Sequence, residues 1–182
     1  MTTFTTSFAR DKGIAAAGVV GFVIALTAAS QVALAIPGTP VPITLTPMIV
    51  VLAGMMLGPT LGSASMVLYL ALGVLGAPVF APIGAPGIAR LFGPTGGYLI
   101  AYPAAAATAG ILARRFPTLP GRWAAATLGV AVLFIGGLSQ LTIMTGSVSR
   151  AIALGITPFA VLDIVKAFVA ALIARPQARR AA

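Results

Sequence analysis

Apolar residues run almost unbroken through this chain and gather into six segments, at 13–36, 43–58, 60–76, 95–113, 123–144 and 156–174. About 20 apolar residues in a helix cross the roughly 30 Å hydrocarbon core of a bilayer, so each segment is expected as a transmembrane span. Glycine and proline punctuate the turns between them. These are Pro37-Gly38 with Pro40 and Pro42, Gly58-Pro59, the run from Gly76 to Pro94, Arg114 to Arg122, and Thr145 to Gly155. Thr46-Pro47 and Thr157-Pro158 are expected helix starts, because threonine caps and proline suits the first turn. Only Gly58-Pro59 separates the second and third segments, which predicts a tight helical hairpin in preference to a re-entrant pair. The expected architecture is an all-α membrane protein, a single bundle of six transmembrane helices forming one integral-membrane domain over residues 1–182.

Composition strengthens this picture. The 182 residues are 59% hydrophobic and 7% charged, with a mean hydropathy of +1.10. A soluble domain carries about 25% charged residues, and disordered chains are poor in apolar ones, so both classes are excluded. The net charge of +9 comes from eleven basic and two acidic residues, too few to build a basic stripe along a nucleic acid. Loop by loop, the cations are uneven. Arg10 and Lys12 precede the first segment, Arg114, Arg115 and Arg122 lie between the fourth and fifth, and Arg175, Arg179 and Arg180 follow the sixth. Against these eight stand Arg90 and Arg150 on the other side. Basic loops stay in the cytoplasm, so both termini are expected there. Ala33-Leu34-Ala35 resembles a signal-peptidase site, but the preceding apolar run exceeds the roughly 7–15 residues of a signal core, and the segment is read as a retained span.

The inventory of reactive groups is short. There is no Cys and no His, and the carboxylates are Asp11 and Asp163, which excludes thiolate, imidazole, zinc and paired-acid chemistry. No enzyme and no cofactor is expected. The charges within a predicted span are Asp163 and Lys166, and their i,i+3 spacing puts both on one helix face. Counted from Ile156 at about 1.5 Å per residue, they lie roughly 10 and 15 Å deep in the outer half of the membrane. Intramembrane charges face a bundle interior or a polar cavity, so the pair either neutralises itself or forms a ligand site. Gln31, Gln140, Thr44 and Tyr98 are polar groups placed to supplement it. The loop 77–94 is rich in proline and glycine yet carries Phe80, Ile83, Ile88, Leu91 and Phe92, which predicts a segment folded down as a lid or packed across the bundle. Its one charge, Arg90, is placed to attract an anionic ligand or to point into water. Ala17, Gly21, Ala25, Ala29 and Ala33 recur every four residues and form a stripe for close helix approach, within the bundle or to a partner. Gly54, Gly58 and Gly62 form a shorter run that reads as internal packing.

Several motifs resemble one known family. Pro40-Val41-Pro42-Ile43-Thr44-Leu45, then Leu52-Ala53-Gly54 with Leu57-Gly58, then Tyr69-Leu70 with Leu72-Gly73 are similar to the BioY family. So are Gly76-Ala77-Pro78-Val79-Phe80-Ala81 and, most specifically, Phe92-Gly93-Pro94-Thr95-Gly96-Gly97-Tyr98-Leu99. The resemblance runs from about residue 14 to residue 174 with its motifs in family order. It implies a biotin-binding substrate-specificity (S) component of an energy-coupling factor transporter in the bacterial inner membrane. Such a component captures biotin from outside and works with a transmembrane coupling protein and two ATPases. The family's Asp-x-x-Lys of the last helix falls on Asp163 and Lys166. The small-residue signature presented to the coupling protein falls on Ala25 and Ala29. On this reading Asp163 accepts ureido N–H groups, Lys166 serves the carbonyl or the carboxylate, and Phe80, Phe92, Tyr98 and Phe159 form apolar walls. The sequence departs from the family at Thr46, where a Gln is usual, over Pro82 to Gly87 in place of a Gly-rich stretch, and at Val161-Leu162 in place of Pro-Gly. A stand-alone facilitator or secondary transporter, or an S component for another vitamin, are the alternatives.

Overall fold

Proline placement and side-chain size shape the bundle more than any inside–outside pattern does. A computed structural model describes residues 3–174, with side chains described from residue 12 onward. The helices are α1 (Thr3–Gln31), α2 (Thr46–Leu57), α3 (Pro59–Val74), α4 (Ala89–Phe92), α5 (Gly96–Arg115), α6 (Leu119–Thr145), α7 (Val148–Gly155) and α8 (Ala160–Ile173). Among the described residues there is no β-sheet, only an isolated antiparallel bridge between Leu34 and Ile43. Among the described residues three helices are long and apolar enough to cross a membrane (the part of α1 from Lys12 to Gln31, α5 and α6), or four if α7 and α8, bent by 52° to each other, count as one span.

The short helices survive because protein covers them. With 12 residues, α2 is only about 18 Å long, but it packs against α1, α3, α5, α6 and α8, and most of its residues are buried. Backbones meet directly around it. A methyl group on Gly54 would collide with the Ala106 carbonyl, and one on Gly110 with the Gly54 carbonyl and the nitrogen of Pro59. Gly62 rests on Gly54 in the same way, so the glycine run is internal packing, as expected. Gly58, at φ +87°, takes a left-handed conformation and separates α2 from α3 before Pro59.

Three expected boundaries and one expected cap are corrected. The first segment was expected to run to residue 36, but α1 ends at Gln31. Pro37, Pro40 and Pro42 cannot continue a helix, and Leu34 and Ile43 instead exchange two backbone hydrogen bonds of 2.9 Å. Helix α2 starts at Thr46-Pro47, as expected, but Thr46 is not its cap, since Leu45 holds that position and the Thr46 hydroxyl bonds elsewhere. The run Thr145–Gly155, expected as a turn, contains α7, whose start is capped by the Ser147 hydroxyl accepting from the Arg150 N–H. Thr157-Pro158 precede α8 instead of starting it, because the residue before a proline avoids helical geometry. Of the cations behind the orientation argument, the Arg10 side chain and residues Arg175, Arg179 and Arg180 lie outside the described residues.

Three long connections, 32–45, 75–95 and 146–159, are tied together at one end of the bundle. The Thr39 hydroxyl donates to the Leu154 carbonyl at 2.6 Å, and the Gln31 amide donates to the carbonyls of Pro78 and Phe80 at 3.3 and 3.1 Å. The connections at the opposite end are short.

Candidate binding cavity

Beneath those connections the helices part around a cavity that opens to the exterior. Its wall is mostly apolar. Val41, Pro42, Leu99, Leu133, Phe134 and Phe159 line it, together with the rings of Tyr69, Phe80, Tyr98 and Tyr102. Tyr69 meets Phe80 edge-on at 5.5 Å and stacks on Tyr102 at 6.2 Å, giving an aromatic floor.

The polar groups converge on one wall. Asp163 lies in the first turn of α8, where the helix dipole favours a negative charge. Lys166 donates to Asp163 Oδ1 at 2.8 Å and to the backbone carbonyl of Thr44 at 2.7 Å. Both side chains are nearly covered, at 6% and 14% exposure. An ammonium has three protons and a carboxylate about four acceptor positions, so the pair keeps binding capacity after closing on itself. Because the last span breaks before Phe159, Asp163 stands one turn into α8 and not seven residues into an unbroken span. Beside the pair, the Thr44 and Thr46 hydroxyl oxygens are 2.6 Å apart, and Tyr102 donates to Thr46 at 3.0 Å.

The connection 75–95 contributes Phe80, Ala81 and Arg90 to the cavity wall. Phe80 is buried against Gly73, and the Val79 carbonyl accepts from Ser30 at 2.6 Å and from Tyr69 at 2.9 Å. Arg90 does not point into water. It is 6% exposed and lines the cavity, with its two terminal nitrogens donating to the carbonyls of Ile83 and Ala81. Its buried Nε has no hydrogen-bond partner among the described residues.

The fold therefore gathers Thr44, Phe80, Arg90, Tyr98, Phe159, Asp163 and Lys166 around one space. Other expected residues stand apart. Phe92 is 75% exposed and walls nothing, because α4 turns its ring outward. Gln31 secures the connection 75–95 from outside the cavity, and Gln140 donates to the carbonyls of Leu91 and Gly93 at 3.5 and 3.4 Å. Along the α1 stripe, Ala29 is buried in the bundle, Ala25 is half-buried, and Ala17 and Gly21 are exposed. Ala29 thus does not reach an outer surface. The sequence reading missed Ser30, Thr46, Tyr69 and Tyr102. A signal was present for Tyr102, which lies four residues after Tyr98 and so on the same helix face.

Comparison with known proteins agrees with this architecture. The sequence profile of the BioY family matches residues 3–182. The chain belongs to the BioY family. It is 41% identical over 153 residues to a probable biotin transporter BioY of Pyrococcus horikoshii, covering 84% of this chain and 89% of that one. It is 36% identical over 141 residues to the biotin transporter BioY of Thermotoga maritima, covering 78% and 83%. In fold it is similar to the crystal structure at 2.1 Å of the S-component for biotin from an ECF-type ABC transporter. The TM-score is 0.84 at 24% identity, over 96% of this chain and 93% of that one.

Proposed function

We propose that this protein is the biotin-binding membrane component of a vitamin uptake system, capturing biotin at the outer face of the bacterial inner membrane. The observation that carries this reading is the Asp163–Lys166 pair, set in the wall of an otherwise apolar, aromatic-floored cavity. Biotin has the complementary parts. Its ureido ring offers two N–H donors and a carbonyl, its thiophane ring is apolar, and its tail ends in a carboxylate. Asp163 accepts ureido N–H groups and Lys166 supplies a cationic donor to the carbonyl or the carboxylate. The tail runs toward Arg90, and Phe80, Tyr98 and Phe159 enclose the rings.

The same reading makes residues 1–182 one integral-membrane domain with six crossings, by α1, α2, α3, α5, α6 and the broken α7–α8. Both termini face the cytoplasm, which the bias of the basic residues supports. The tied connections and the cavity then face outward. Neither of the two lysines in the sequence lies in a phosphate-binding G-x-x-x-x-G-K-[ST] loop, so ATP is used by partners, a transmembrane coupling protein with two ATPases. The small-residue stripe of α1 at Ala17, Gly21 and Ala25, of which Ala17 and Gly21 are exposed and Ala25 is half-buried, is the docking face for that coupling protein.

Equilibrium binding of biotin to the purified protein tests the site. Hydrogen bonds to charged groups contribute about 1.5–3 kcal/mol, so Asp163→Asn and Lys166→Ala are each expected to weaken binding by roughly 10- to 100-fold. Wild-type affinity in both variants would overturn the assignment. Uptake in cells without any ATPase module would instead point to a stand-alone carrier.

A further inference from the structure

We propose that Tyr102 and Thr46 orient the Thr44 hydroxyl as a fixed hydrogen-bond donor into the cavity, so that the site selects a ligand carbonyl at that point. This deepens the biotin reading and rests on it. Tyr102 donates its single hydroxyl proton to Thr46 Oγ1, 3.0 Å away, and Thr46 Oγ1 lies 2.6 Å from Thr44 Oγ1. Were Thr44 the donor in that second contact, Thr46 would accept twice, and its own proton would have to be met by a ligand at a residue only 5% exposed. With Thr46 as donor, every proton in the chain has an acceptor except that of Thr44. Thr44 and Thr46 both border the cavity, but Thr44 is half-buried and Thr46 buried, so the Thr44 proton is the one a ligand acceptor reaches. Buried polar hydrogens are almost always paired, which selects the second arrangement.

Both ends of this relay are held. Tyr102 is stacked on Tyr69, so its hydroxyl does not swing away. The Thr44 backbone carbonyl accepts from Lys166 at 2.7 Å, and Lys166 is itself fixed by Asp163 at 2.8 Å. One ammonium thus ties an acceptor, the Asp163 carboxylate, to a donor residue, Thr44. A cyclic urea presents N–H beside C=O and meets both. Tyr102 and Thr46 touch no ligand in this scheme and act as positioning residues.

The test uses biotin and 2-thiobiotin, in which sulfur replaces the urea oxygen while the N–H groups, rings and tail remain. Sulfur is a weak acceptor, so the wild-type protein is expected to prefer biotin by about tenfold or more. Thr46→Val and Tyr102→Phe are expected to reduce that preference at least about threefold, by weakening biotin and sparing 2-thiobiotin, and Thr46→Ser to retain it. Equal weakening of both ligands would mean that the two residues serve packing alone, and unchanged affinities would equally overturn the relay. A wild-type protein that binds neither compound fails at the biotin reading itself, a distinguishable result.

Discussion

Helix α5 has two unlike halves. Toward its C-terminal end Ala105, Ala106, Ala109 and Gly110 are buried, and the backbones of α2 and α5 touch there because Gly54 has no side chain. At its start the same helix presents Tyr98 and Tyr102 to open space, and its neighbours supply Asp163, Lys166, Thr44 and Thr46. Grading residue size along one helix closes the bundle at one end and opens it at the other. Without a hydrophobic force between helices in lipid, such close backbone contact is what holds the closed half. The open half is held by hydrogen bonds from side chains to loop carbonyls. The two halves should therefore fail differently.

The largest effect is expected in the closed half. Gly54→Leu drives a side chain into the Ala106 carbonyl, and overpacking against backbone should exceed about 3 kcal/mol, leaving no monodisperse protein after detergent extraction. Next comes Lys166→Met, which strands the nearly buried Asp163 carboxylate. Breaking a buried pair costs about 3–5 kcal/mol where the charge stays uncompensated, so thermal unfolding and biotin binding should both suffer. The double variant Asp163→Leu/Lys166→Met sharpens the contrast: it should regain thermal stability and still bind no biotin. If it stayed unstable, the pair would be part of the framework and not of the site alone. A smaller effect is expected from Arg90→Met, which releases the Ala81 and Ile83 carbonyls. Faster hydrogen exchange over residues 81–88 and roughly tenfold faster biotin release should follow. Phe92→Ala should change stability and binding by less than about 0.5 kcal/mol, because its ring touches neither half.

Much of this contrast is legible in the sequence, for uneven reasons. Six apolar segments and their glycine and proline breaks place most helices within a few residues. Asp163 and Lys166 are conspicuous because charge inside a span is costly and so few charges are present. The remainder is hidden by the solvent. In lipid both faces of a helix are apolar, so periodicity does not say which way Phe92 or Ala29 points. Tyr69 looks like an ordinary member of an apolar run, and only the packing reveals its ring as part of the cavity, whereas Tyr102 is marked by its spacing from Tyr98. The break between α7 and α8 was marked by Thr157-Pro158, but a proline is equally at home at a helix start and just before one. Arg90 could be read either as a ligand-attracting cation or as one pointing into water, since nothing local shows that its own loop wraps its guanidinium.

The location of bound biotin tests the central claim most directly. In an experimental structure of the complex, a ureido N–H is expected about 3 Å from the Asp163 carboxylate and the ureido oxygen about 3 Å from the Thr44 hydroxyl, with the tail toward Arg90. Biotin bound elsewhere, or with its ureido ring turned away from an undisturbed Asp163–Lys166 pair, would contradict it.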